Sequence, residues 1–505
     1  MSTPLLSSAA TASPPGSAAP GEGSSALAGG LAPPLASTGS PSALVLAVAV
    51  VGSLVVAVGA QRGLVSGVGA LVAVLAALGL LVRPALAGLA LVCLVPLLPG
   101  LARGLLVPGA KISEVVVFGA SCLVLLICGR RGRVPFGGLD LLVLAYVLAT
   151  IGLGVLDMRL HAVPLDLDTA TTLFAPVQYL LLFRAVRVSL PTAELRRIAL
   201  RWALYLSTVM SAVALAQQVA GGAVNPVLVR LTSSDAALGG TSTGLFAGKH
   251  DLGGYLIVVV VLASGLLLTP GQRVLPPVRL WAVLALAGVA LACTVAFASV
   301  GGAVLGIALM ARRRKRLAPA MTGLVVVGAA TAVLFGPTLF SLGDRQFTSP
   351  PVVTSTTSAP TWLPQSLAYR VAVWHDQYLP ALTPHLLTGY GPTLPPDIDW
   401  KYTESAYLSL LLRGGLPLLL VFGAVSLALY ARARRAEGDA DPAQRALGLA
   451  VAALVVVLTV IDVTNPYILN SGLPHLFWAL AGLLAGPTAA RGVPVPEDAG
   501  RLHED

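Results

Sequence analysis

The chain has 505 residues and a formal net charge of +10, with 56% hydrophobic and only 11% charged residues. Soluble globular proteins carry roughly 25% charged residues, so this composition cannot cover a water-facing surface and excludes a soluble fold. The basic residues sit in short loops between apolar runs, where they orient membrane helices, and this excludes a nucleic-acid groove as the reason for the charge.

Residues 1–42 are rich in Ser, Ala, Pro and Gly and read as a disordered cytoplasmic tail. With no basic segment ahead of a short apolar core, the tail does not read as a cleavable signal peptide. Apolar runs bounded by Pro, Gly or basic residues then predict spans at 43–60, 64–82, 85–99, 112–129, 139–158, 170–186, 198–220, 252–269, 280–297, 299–311 and 319–338. A long loop covers 339–404, followed by spans at 405–430, 447–464 and 474–487 and a cytoplasmic tail over 488–505. The expected fold is an all-α polytopic membrane protein with about 14 (12–14) transmembrane helices, the third and tenth being short enough to tilt, break or re-enter. Cys93, Cys122, Cys128 and Cys293 all lie in apolar runs and read as small hydrophobes.

With both termini cytoplasmic, the clusters Arg130, Arg131 and Arg133, Arg196 and Arg197, Arg312 through Arg316, and Arg432, Arg434 and Arg435 fall inside, as the positive-inside rule requires. The same topology places His161, His250, His375, His385 and His475 on the extracytoplasmic side, together with the two longest external loops, 221–251 and 339–404. The span interiors are nearly free of charge. A transporter path along the spans is therefore less favoured than chemistry at the outer face.

Loop 339–404 has two halves. Residues 341–365 are rich in Ser, Thr and Pro and read as a linker. Residues 367–382 place Leu367, Val371, Trp374, Tyr378 and Leu379 at helical spacing, predicting an amphipathic helix on the membrane surface. Arg370 and His375 flank that face. Gly389-Tyr390-Gly391-Pro392 predicts a turn before the chain re-enters at Glu404-Ser405. Arg413 falls within the next span, and Asp462 is its expected ion-pair partner.

The order Arg370, Trp374, Pro384-His385, Gly389-Tyr390-Gly391, Tyr407-Leu408, Leu410-Leu411 and Gly415-Leu416 resembles the O-antigen ligase and polysaccharide polymerase family. Thr243-Gly244-Leu245-Phe246, Lys249-His250-Asp251-Leu252-Gly253-Gly254 and Phe297-Ala298-Ser299-Val300-Gly301 add to the resemblance. The chain departs from the family pattern where Glu404 stands for a histidine, Ser405 for an asparagine, Arg413 for a glutamate and Val300 for an arginine. These departures favour a polymerase or other transferase over a lipid-A ligase.

The resemblance implies a GT-C-like, metal-independent glycosyltransferase without cofactor, on the outer face of a bacterial inner membrane. Its donor would be a polyprenyl-diphosphate-linked glycan and its acceptor a glycan hydroxyl, with other polysaccharide-assembly proteins as further partners. Breaking the bond to a diphosphate calls for fixed cations, and Arg370, Lys249, Arg230 and Arg345 are the candidates. The acceptor hydroxyl calls for a base, for which Glu404 and His250 are the candidates. Trp374, His375, His385, Tyr390, Ser405 and Tyr407 are candidates for positioning the acceptor or the loop, with His375 also a rival base. The alternative reading is a transporter or flippase of lipid-linked glycans.

Overall fold

A computed structural model describes residues 83–103, 111–130, 136–234, 240–316, parts of 323–344, 365–393, 398, 403–469 and 472–486. Every regular element among them is helical. In chain order these are α1 (Pro84–Cys93), α2 (Ile112–Arg130), α3 (Gly138–Leu160), α4 (Leu167–Ser189), α5 (Ala193–Val219) and α6 (Gly221–Thr232). They continue with α7 (Lys249–Leu267), α8 (Pro277–Cys293), α9 (Phe297–Arg313), α10 (Gln365–Val373), α11 (Leu379–Leu382), α12 (Ala406–Ala436), α13 (Pro442–Ile461) and α14 (Leu473–Ala485). Side-chain caps start several of them: Asp166 accepts from Thr169 N at 2.7 Å and Asp441 from Ala443 N at 3.1 Å.

The bundle has an inner and an outer set of helices. In α7 every residue from Leu252 to Leu266 is buried, and α14 is buried throughout. A helix apolar on all sides belongs in the middle of a membrane bundle. Around them, α3 and α12 turn Leu148, Leu156, Leu420 and Leu427 outward, as helices facing lipid do. Close approaches rely on small residues: a Cβ on Gly482 would lie 2.6 Å from the Phe183 carbonyl oxygen, and one on Gly448 would lie 2.7 Å from that of Ala433. One end of the bundle is tied by ion pairs, Arg184–Asp140 at 2.8 Å, Arg187–Asp140, Arg197–Asp441 at 2.9 Å and Arg313–Glu437 at 3.0 Å. The other end carries the starts of α7 and α12.

Among the described residues, seven helices are long and apolar enough to cross a membrane: Ile112–Gly129, Gly138–Leu160, Thr169–Ser189, Ala193–Val219, Lys249–Leu267, Ala406–Ala436 and Pro442–Ile461. The expected fourteen spans are thus more than the structure supports. Pro84–Leu97, Pro277–Cys293 and Leu473–Ala485 are apolar but shorter, and a straight crossing needs about 20 residues. The expected spans 43–60 and 64–82 and both tails lie outside the described residues, as do 345–364 of the long loop. The stretch 221–251 holds a helix, α6, that was expected to be loop, and α7 begins at Lys249 rather than at residue 252.

Candidate functional site

The loop helix is built around a proline. α10 runs into a wide π turn over Trp374–Tyr378, closed by Leu379 N donating to Trp374 O, and continues as α11. Pro380 has no N–H to donate, and its ring crowds the carbonyl four residues back; the wider turn relieves that crowding. The extra residue shifts the helical phase. Val373, Tyr378 and Leu382 therefore form the buried face, packed with Ile398 and Leu412. Of the expected apolar face, Trp374 and Tyr378 point inward, whereas Val371 and Leu379 are exposed.

A break in α12 receives the turn that follows. Gly414 and Gly415 leave helical geometry, with Gly415 at φ 62°. Leu412 O is thereby freed and accepts from Tyr390 N at 2.6 Å and Gly391 N at 3.0 Å, while Leu416 N donates to Leu386 O at 2.8 Å. Backbone polar groups buried in a membrane protein need such partners. The two segments meet without side chains between them. A Cβ on Gly389 would lie 2.6 Å from Gly414 N, and one on Gly415 would collide with the Leu387 carbonyl oxygen. Gly389 and Gly391 also have positive φ, at 82° and 110°.

This joint forms one wall of a cavity of about 690 Å³, within the usual range of ligand pockets. The start of α7 contributes Gly248, His250 and Asp251, the turn contributes Gly391 to Thr393, and α12 and its lead-in contribute Thr403, Glu404, Ser409 and Arg413. Thr172 of α4 and Asn465, just past α13, complete the polar lining.

Arg370 and Glu404 form an ion pair at this cavity: Arg370 Nε and Nη2 donate to Glu404 Oε2 at 3.1 and 3.0 Å. Both side chains are largely buried, 15% and 21% exposed. Glu404 has φ 52°, a left-handed conformation that costs a residue with a Cβ about 1–2 kcal/mol. Trp374 Nε1 donates to Thr403 O at 2.9 Å, pinning the loop helix to the start of α12. Ser405 and Ala406 N both reach Asp462 O, the latter at 2.9 Å. The Asp462 carboxylate accepts from Ile468 N at 3.1 Å, and burial pushes its pKa up to about 8.

The predicted residues divide accordingly. Glu404 and His250 line the cavity, and the Nδ1 of His250 is buried without a hydrogen-bond partner among the described residues. Arg370 and Lys249 are close enough to His250 to interact with it electrostatically. Arg230 is exposed on α6 and does not line the cavity; Arg345 lies outside the described residues. His375 turns to solvent beside Asp376, its side chain 68% exposed. His385 and Tyr390 stand behind the turn, where Tyr390 stacks on His161 with centroids 4.2 Å apart and His385 meets the same ring edge-on. Tyr407 donates to Thr459 O at 2.7 Å, and neither it nor Ser405 lines the cavity.

The expected pair of Arg413 with Asp462 is absent, because Asp462 turns back to cap its own loop. Arg413 instead opens on the cavity, as do Asp251, Thr172 and Asn465, which were not among the predicted site residues. Asp251 could have been found from its place beside Lys249 and His250. Thr172 and Asn465 are isolated polar residues near helix ends and give no such signal.

Residues 294–423 match the family model described as O-Antigen ligase. The match runs from the α8–α9 junction through the loop to the middle of α12, and so contains Arg370, Glu404, Arg413 and both glycine turns. His250 and its neighbours lie outside it. No curated protein matches the chain.

Proposed function

We propose, on the premise that residues 294–423 are the O-antigen ligase domain of a multi-pass membrane protein, that the chain transfers glycans from a polyprenyl diphosphate carrier to a sugar hydroxyl at the extracytoplasmic face. The family implies a role in lipid-linked polysaccharide assembly. The single observation that carries the finer reading is the convergence of His250, Glu404 and Arg413 on one polar cavity at the membrane end. The basic clusters at the opposite end support an orientation with that end cytoplasmic.

In this reading the acceptor hydroxyl attacks C1 of the donor sugar. The bond from C1 to the diphosphate breaks, the new glycosidic bond forms, and the acceptor proton passes to a base. His250 fits that role better than Glu404, whose carboxylate is engaged by Arg370. Glu404, which lines the cavity, engages the Arg370 guanidinium, which is not part of the lining, and Trp374 holds the loop helix that carries Arg370.

Gel analysis of surface polysaccharide after deletion of the gene tests this function. Loss of long chains with accumulation of single repeats supports a polymerase, and free polymer that fails to attach supports a ligase. Unchanged surface glycan would contradict both.

A further inference from the structure

The cavity holds a cation that no ion pair among the described residues accounts for. Arg413 sits one residue before the break in α12, part of its surface on the 690 Å³ cavity. It also lines a small inner void of about 30 Å³ with Tyr146, Tyr179 and Trp478. Among the described residues, no ion pair includes it. Its electrostatic neighbours are two phenols, Tyr146 and Tyr179.

A guanidinium stays protonated in proteins, and placing one inside a membrane domain without a counter-ion is costly. Such a charge persists where function uses it. Arg370, by contrast, is already offset by Glu404.

Two carboxylates line the same space, Asp251 and Glu404, the latter engaged by Arg370. Thr172, Ser409 and Asn465 add neutral polar groups around the same space. The backbone on both sides of Arg413 is held by the bonds from Leu412 O to the turn and from Leu416 N to Leu386 O, so the side chain springs from a fixed base.

We propose that Arg413 is the anion-receiving residue of this cavity, its forked N–H groups holding the phosphate oxygens of the lipid-linked donor. The identity of the anion rests on the function proposed above; the unpaired cation does not. When the glycosyl bond breaks, the negative charge gathered on the departing diphosphate meets a permanent positive charge that forms no ion pair among the described residues. Arg370 is left to set the loop against Glu404.

The test is binding of farnesyl diphosphate, with farnesol as the uncharged control, to the full-length protein in lipid nanodiscs. Wild-type protein is expected to prefer the diphosphate. Arg413→Met is expected to lose at least tenfold in diphosphate affinity while farnesol binding stays unchanged. Arg413→Lys, with a charge but no fork, is expected to lose several-fold. Equal diphosphate affinity in wild type and Arg413→Met overturns the assignment and leaves the proposed function standing. Should Arg413→Met not yield folded protein, wild-type affinity in Arg413→Lys overturns it instead. A wild-type protein that does not distinguish diphosphate from farnesol sinks the proposed function and this inference together.

Discussion

At the scale of single residues, Glu404 joins two opposing effects. Its left-handed backbone costs about 1–2 kcal/mol, while its carboxylate engages Arg370 through two N–H groups. Glu404→Ala loses the ion pair and keeps the strain; Glu404→Gly loses the pair but relieves the backbone. Glu404→Gly is therefore expected to melt at a higher temperature than Glu404→Ala, by an amount equivalent to about 1 kcal/mol. The reverse order in thermal melts of the purified protein would show that the left-handed φ is not a cost. Asp462 gives a pH signature. Its native pKa, raised to about 8, means that the folded state keeps a proton which the unfolded state gives up above about pH 4. Stability from this group is thus fully present at low pH and lost as pH rises toward 8. Asp462→Asn should flatten that decline in melts across pH 4–8, and an unchanged slope would remove Asp462 as its source. The family resemblance, together with residue type, made Glu404, His250 and Arg370 candidates. The pairing of Arg370 with Glu404 spans 34 residues, and the absence of an ion pair at Arg413 among the described residues is likewise a matter of packing, so neither leaves a local pattern.

At the scale of elements, the joint between the 386–391 turn and the break in α12 organises the site. Three backbone hydrogen bonds cross it, each worth about 1 kcal/mol. Gly415→Ala puts a Cβ into the Leu387 carbonyl and forces a left-handed alanine, so it is expected to part the two segments and abolish transfer. Gly423, further along the same helix, has open space around its would-be Cβ, so Gly423→Ala should be neutral or slightly stabilising. Comparable expression and activity of the two variants would contradict the joint. The glycines were legible as a turn in sequence; their backbone-to-backbone contact with Gly414 and Gly415 was not. The loop helix was legible too, but its buried face was not, because the π turn before Pro380 breaks the 3.6-residue period on which that face was drawn.

At the scale of the whole molecule, the helical membrane architecture was legible because apolar runs of bilayer length declare themselves without tertiary information. The span count was less so. α1, α8 and α14 are apolar yet short, and the number of crossings they make depends on neighbours and tilt rather than on composition. Bringing α4, α7, α12 and the stretch after α13 to one cavity is likewise a property of the packed bundle, and it is there that the proposed chemistry resides. The most direct measurement of that claim is glycan transfer by the purified protein in lipid vesicles supplied with a polyprenyl-diphosphate-linked glycan. The wild type is expected to form glycosidic bonds and release polyprenyl diphosphate, and the double variant Arg370→Ala, Glu404→Gln to be slower by about 100-fold or more. Full activity in the double variant, or donor movement across the bilayer with no bond formed by the wild type, would contradict the account.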